Sequence, residues 1–285
     1  MPTGEVEIRR GVTRGILTKT SGYIAEAGFT HSLSPARNCT FGCTYCYVPT
    51  LGIFGGLKPE DWRRWGQFTT FKSNAAERLA RELRASQTIY CSPLVDPYQP
   101  AEESEQAMPP ILETVMRTPP RVFVIQTRGP LILRDLDLLK NVSKHTTLRV
   151  SFSITTNRDD VRKLYEPHCA TFEERIETVR SLRDAGIETY ATIAPMLPCD
   201  PETLVREAIR ATGRDLIGDP LHIRETKARG AVTREAALKI ASVQGHGEIL
   251  DADAQARMVE RMKRAASAEG FSFTVGPRGF ALLAT

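Results

Sequence analysis

From residue 30 to residue 275 the apolar positions change period again and again. Runs in which apolar residues follow one another or alternate give way to segments where they recur three and four apart. The first pattern is that of strands, the second that of amphipathic helices. Strands are predicted over 30–33, 87–92, 121–127, 147–156, 189–197, 222–226 and 271–275. Helices are predicted over 74–85, 109–116, 134–143, 171–185, 201–213, 233–242 and 251–268. Cap residues sharpen several of these. Thr171 with Glu174, and Asn74 with Glu77, have capping-box spacing. Asp200 precedes Pro201 at a helix start, and Gly186 and Gly213 stand at helix ends. In 147–156, Val150, Phe152 and Ile154 point to one side, while Ser151, Ser153 and Thr155 point to the other.

Strands alternating with helices argue for parallel βαβ units. About six such units predict an α/β fold, a partial (β/α)6 TIM-like barrel, whose chemistry sits at the C-terminal ends of the strands. An open doubly wound sheet is the alternative and would place ligands at the same ends. Residues 1–29 are polar and form an N-terminal extension. Residues 30–230 form the barrel core, and 231–285 a C-terminal helical extension of the same domain.

Composition narrows the class. The chain has 285 residues, 41% hydrophobic and 25% charged, as in an ordinary globular domain with ample core. A net charge of +4 permits nucleic acid or an acidic redox partner and demands neither. There is no apolar run long enough to cross a bilayer, and residues 1–5 lack a signal peptide's apolar segment. A reducing, cytoplasmic location is expected. There, clustered cysteines read as metal-binding or catalytic rather than as disulfides.

The clustered cysteines are Cys39, Cys43 and Cys46, in the stretch N-C-T-F-G-C-T-Y-C-Y at 38–47. C-x3-C-x2-C brings three thiolates together. A [4Fe–4S] cluster has four irons and usually takes four cysteines, so three leave one iron open to a ligand. Structural zinc is the alternative, but zinc sites usually pair two half-sites, and the chain has no second C-x2-C. A non-enzymatic iron–sulfur carrier or sensor, and a zinc-dependent nucleic-acid-binding module, are the rival classes. The first needs no barrel with polar strand mouths, and the second predicts a strongly basic face.

This motif, with Tyr45 before the last cysteine, resembles the signature of radical S-adenosylmethionine (SAM) enzymes. The longer stretch resembles the spore photoproduct lyase, or DNA repair photolyase-like, subgroup. Further pieces follow in the subgroup's order: D-P-Y-Q-P at 96–100 with Glu102 or Glu103, Thr127-Arg128, R-D-L-D at 134–137, S-I-T-T at 153–156, Glu166-Pro167, Arg175, and A-P-M-L-P at 194–198. The resemblance implies a [4Fe–4S] cluster on Cys39, Cys43 and Cys46 whose open iron chelates SAM. Reductive cleavage then gives a 5′-deoxyadenosyl radical that abstracts hydrogen from substrate. It also implies an electron donor such as flavodoxin or ferredoxin, and repair of a thymine dimer-type lesion as one option. Another nucleic acid, a peptide or a small metabolite is the rival substrate.

Strand-end residues supply the remaining candidates. Ser92 and Asp96 follow a strand where a cofactor ammonium can be held; a turn aspartate is the plain alternative. Arg128 stands where the subgroup usually has Lys for the cofactor carboxylate. Ser153 is implied as a ribose or cofactor contact. Arg175, in a helix first turn, can meet a carboxylate or pair with Glu166. Tyr45 lies beside the docking position. Cys91, Tyr98 and Cys199 are catalytic candidates, the cysteines as hydrogen donors. Cys91 lies two residues before the subgroup's donor position, and the alternative is a small buried hydrophobe. Cys169 carries no argument. His222, Arg224 and Thr226 are read as a polar strand face, and His246 as a loop residue within reach of the mouth. Trp62, Arg63, Arg64 and Trp65 suit base stacking or a lid. Arg37 suits an acidic donor protein.

Overall fold

The computed structural model describes residues 6–51, 64–224 and 232–285. Eleven strands are described, in two sheets. The larger holds β2 (Leu17–Lys19), β3 (His31–Leu33), β6 (Thr88–Cys91), β7 (Val122–Thr127), β8 (Thr147–Ser153), β9 (Glu188–Ile193), β10 (Leu216–Gly218) and β11 (Phe273–Val275), in the order β11-β10-β9-β8-β7-β6-β3-β2. Every pair from β3 to β11 is parallel, and β2 closes one edge antiparallel. This is a partial TIM-like barrel with β2 and β11 as open edges. The smaller sheet sets β1 (Glu7–Gly11) and β4 (Ala36–Arg37) on either side of β5 (Phe68–Lys72).

The described helices are α1 (Gly22–Glu26), α2 (Ala75–Glu82), α3 (Glu102–Glu105), α4 (Met108–Arg117), α5 (Leu136–Val142), α6 (Asp159–Tyr165), α7 (Phe172–Asp184), α8 (Pro201–Thr212), α9 (Glu235–Val243), α10 (Ala252–Ala268) and α11 (Gly276–Ala281). None is long and apolar enough to cross a membrane.

Strand register sorts the side chains into two faces. Cys91, Ile125 and Val150 are aligned partners, so they share a side. With Phe152, they pack against Leu112, Val179 and Leu182 of the helices. The inner face carries Tyr90, Val124, Tyr190 and Ile217, covered by Phe29, Phe280 and Leu283. The chain's last residues reach the strands' N-terminal ends, where Arg121 and Arg149 donate to the carbonyls of Ala284 and Leu283. That leaves polar residues for the opposite end of the inner face.

Some elements depart from the periodic reading. The sixth barrel strand is Leu216–Gly218, not 222–226. Leu-Ile-Gly is too short to show a period, and 225–231 lie outside the described residues. β9 ends at Ile193, because Pro195 follows and cannot donate to a ladder. Asn74 precedes α2 without capping it; its amide pairs with the backbone N–H and carbonyl of Thr13 at 2.9 and 3.0 Å. Residues 130–135 form a 3-10 helix before α5. α6 is absent from the periodic reading: in D-D-V-R-K-L-Y only Val161 and Tyr165 are buried. The capping box at Thr171 and Glu174, and the Asp200 cap, are both present. The N-terminal extension supplies β1 and β2, and the C-terminal one adds β11 to the sheet.

Candidate metal centre and cofactor site

β4 delivers the chain directly into the cysteine loop. Asn38 turns it with a φ of 65°, a left-handed value that Asn tolerates. The loop is then tied on three sides. Thr69 Oγ1 donates to the Asn38 carbonyl at 3.1 Å, Gln99 Oε1 accepts from Thr40 N at 2.8 Å, and Tyr165 O accepts from Thr44 N at 2.9 Å. Gly42 lies backbone to backbone on Gly66: a Cβ on Gly66 would sit 2.8 Å from the Gly42 Cα. The chain has φ of 63° and 93° at these two glycines, so a side chain would be strained at either.

Cys39 and Cys43 are buried and Cys46 half-buried. All three pack in one cluster with Phe41, Tyr45 and Trp65. Burial raises the Cys39 thiol, and it raises Cys46 to about 12. The Cys43 thiol is lowered, first by its hydrogen bond with the Cys169 thiol and further by Arg128. Three soft sulfur donors on one short loop suit an iron–sulfur cluster. Among the described residues, two buried polar atoms here, Asn38 Oδ1 and Trp65 Nε1, have no hydrogen-bond partner. The donor set and these orphaned atoms fit a bound polar group.

Beside the loop lies a knot of charge. Glu166, at the C-terminal end of α6, is 0% exposed. Its Oε1 accepts from the Tyr45 hydroxyl and from Arg128 Nη1, and its Oε2 from Arg175 Nη2. Burial by itself would raise the Glu166 carboxyl, but the Arg175 and Arg128 guanidiniums and the Tyr45 hydroxyl bring it down to about 2. Arg128 Nη1 also donates to Cys43 Sγ at 3.4 Å. Asp96 sets the start of this arm. Its carboxylate accepts from Arg128 N at 2.8 Å, Thr127 Oγ1 at 2.6 Å and Tyr98 N at 2.9 Å. Burial holds that carboxyl above its usual value against these bonds.

The strand mouths continue inward as a chain of polar contacts. Tyr90 donates to Gln126 Oε1 and Gln126 Nε2 to Ser153 Oγ, each at 2.7 Å. Ser151 meets Thr192 Oγ1 at 2.5 Å, and Ser92 meets Ser34 at 2.9 Å. Past β10, Asp219 Oδ2 lies 3.0 Å from His222 Nε2.

The candidates therefore divide. Tyr45, Asp96 and Arg128 converge on the cysteine loop, and Ser92 and Ser153 lie on the inner mouth. Arg175 takes the plainer of its two readings: its guanidinium is bound to Glu166, to the Ala170 carbonyl at 3.0 Å and to the Ser153 carbonyl at 3.4 Å. Cys91 and Tyr98 are not brought to the loop. Both lie in the core between sheet and helices, on the side of Ile125 and Val150. Cys199 is half-buried beside the Asp200 cap; burial raises its thiol to about 12. Trp65 is buried with the cysteines, while Trp62 and Arg63 lie outside the described residues. His246 stacks on Tyr165, whose hydroxyl lies 3.2 Å from Nδ1. Gln99 and Asp219 escaped sequence reasoning, and Glu166 was named there only as the plain partner of Arg175, without its bonds to Tyr45 and Arg128.

The sequence profile described as the Radical SAM superfamily matches residues 33–210, well over half of the chain. The chain belongs to the radical SAM superfamily. An uncharacterized protein of Methanocaldococcus jannaschii is 29% identical over 171 residues, 59% of this chain and 62% of its own. One of Mycobacterium tuberculosis is 26% identical over 178 residues, 61% of this chain and 52% of its own. The chain thus matches between half and two thirds of the length of these relatives. Among solved structures, spore photoproduct lyase aligns over 94% of this chain and 81% of its own, with a TM-score of 0.60 and 16% identity. A form complexed with dinucleoside spore photoproduct aligns over the same shares, with a TM-score of 0.59 and 15% identity. At such identity the likeness is one of fold, and the radical SAM fold is what these structures share with this chain.

Proposed function

We propose that the protein is a radical SAM enzyme that holds a [4Fe–4S] cluster on Cys39, Cys43 and Cys46 and acts on a nucleic acid carrying a photoproduct-type lesion. The observation that carries the chemistry is Arg128, whose guanidinium lies against Cys43 Sγ at the mouth of β7. When bound, the cluster would supply the electron for reductive cleavage of SAM and with it the radical chemistry that removes hydrogen from the substrate. Arg128 supplies the cation for the methionine carboxylate. Its Nη1 is spoken for by Glu166 and Tyr45, while Nη2 has no protein partner among the described residues. A guanidinium held on one side offers its other donors to a carboxylate in a fixed direction. Asp96 orients the backbone of Arg128, and Gln126, Ser153 and Ser92 present hydrogen-bonding groups along the inner mouth to hydroxyls. Phe41 and Trp65 exclude water from the sulfurs.

Exposed Arg37, two residues before Cys39, supports docking of an acidic electron donor such as flavodoxin or ferredoxin. The lesion as substrate is supported by the order of motif pieces along 96–198 and by the photoproduct complex of the aligned lyase.

Anaerobic reconstitution should load about four irons and four sulfides per chain. Dithionite with SAM should then yield 5′-deoxyadenosine, and Cys39→Ala, Cys43→Ala or Cys46→Ala should abolish it. Stoichiometric zinc without iron uptake would sink the cluster. Addition of dinucleoside spore photoproduct should accelerate 5′-deoxyadenosine formation and release the repaired dinucleoside. If a panel of peptides or small metabolites accelerates it and the photoproduct does not, the substrate assignment fails while the chemistry stands.

A further inference from the structure

Cys169 has entered so far only as the thiol beside Cys43. Its Sγ lies 3.9 Å from Cys43 Sγ, both residues are buried, and 126 positions of sequence separate them. The contact is set by backbone on both sides. Tyr165 O holds the cysteine loop through Thr44 N, and Cys169 N donates to the Glu166 carbonyl at 3.1 Å in the turn that follows α6. Arg162 Nη1 clamps the Cys169 carbonyl at 2.8 Å. From the other side, His168 lies against Gly42: its ring carbon would be 3.5 Å from a Cβ there. The two thiols are therefore brought together by neighbouring main chains and not by a single side-chain excursion.

Disulfide sulfurs sit about 2 Å apart on Cβ atoms about 3.8 Å apart. Thiols already at 3.9 Å need a shift of about 2 Å to bond. We propose that Cys43 and Cys169 are an oxidative modification site: in protein without its cluster they form a disulfide with a hydroperoxide as oxidant, which withdraws Cys43 from the metal site until a dithiol reduces it. The inference rests on the reading of Cys43 as a cluster ligand.

The chemistry balances in two steps. Peroxide oxidises one thiol to a sulfenic acid and is reduced to water; the second thiol displaces the hydroxyl as a further water, and the sulfur–sulfur bond forms. Two thiols lose two electrons and two protons, and one peroxide gains them. A Cys43 sulfur engaged with iron cannot take part, so the bound cluster protects the pair. Loss of the cluster frees the Cys43 sulfur to react, and the disulfide then keeps Cys43 from irreversible oxidation.

The test uses the full chain, cluster-free and after anaerobic reconstitution, each treated with one equivalent of hydrogen peroxide. Remaining thiols are alkylated and the digest is read by mass spectrometry. The cluster-free chain should give a peptide pair joined through Cys43 and Cys169 and lose two of its six alkylatable thiols. Its iron uptake should fall at least about five-fold and return with dithiothreitol. Reconstituted protein should give little of the joined pair. Cys169→Ser, or Cys169→Ala if the serine variant folds poorly, should load iron as the parent does and yield no joined pair. Alkylation of Cys43 and Cys169 after oxidation, or Cys43 joined to another cysteine, overturns the proposal. Iron uptake without the joined pair refutes this inference alone. The joined pair in a chain that never binds iron refutes the cluster reading and leaves the disulfide standing.

Discussion

Two regions of the barrel are equally dry and built on opposite terms. Behind the sheet, Cys91 and Tyr98 lie among Ile125, Val150 and the helix side chains. At its mouth, Glu166 lies among Arg128, Arg175 and Tyr45. Cys91 and Glu166 are each 0% exposed. In the first region a side chain contributes packing volume, and a neighbour of the same shape does nearly as well. In the second each group is held by opposite charges, and removing one leaves the others buried without a partner. Burial therefore does not separate packing residues from charge-bound ones in this chain; what surrounds the buried group does.

The comparison breaks most visibly at Glu166. Glu166→Gln leaves two guanidiniums facing a neutral amide in a dry site. It should lower the unfolding free energy by about 3–5 kcal/mol, read from urea titration of the full chain. A loss below about 1 kcal/mol would mean that the knot is solvated and that the contrast with the core is false.

Acid probes the same group. With a folded pKa of about 2 against an ordinary value of 4.5, Glu166 is depressed. Its contribution is complete above about pH 4.5 and drains away as the pH falls toward 2. A shift of this size corresponds to about 3 kcal/mol. The stability gap between parent and Glu166→Gln should thus be widest at neutral pH and narrow steadily below pH 4.5. A gap that is flat with pH would assign the loss to shape instead of charge.

The smallest effect is expected behind the sheet. Cys91→Ala removes one sulfur from a close-packed wall and should cost about 1 kcal/mol. It should leave iron loading, and the yield of 5′-deoxyadenosine from SAM, within about two-fold of the parent. A larger loss of yield at unchanged stability would bring Cys91 back into the mechanism.

The strand–helix alternation was legible because the longer barrel strands carry their own period, which the three-residue β10 cannot, and the cysteine motif because its three residues share one loop. The inward row of Ser151 and Ser153 was legible from alternation along a single strand. Glu166 was legible only as the partner of Arg175; its bonds to Tyr45 and Arg128, and the contact of Cys169 with Cys43, were not, because those partners lie far along the chain. Asn74 shows the same limit on a smaller scale: it has the spacing of a cap and spends its amide on Thr13.

The amino-acid order alone determined that three thiolates stand on one loop after a strand, and that hydroxyls line one strand face, since both are properties of neighbours along the chain. Which cysteines meet, and which carboxylate holds the mouth, only the tertiary structure decided. Cys91 and Cys169 carry the same thiol. Register turned the first toward the helices, and the turn after α6 set the second 3.9 Å from Cys43. Sequence spacing cannot express a contact across 126 positions, because that distance is set by how the helices and strands between them pack.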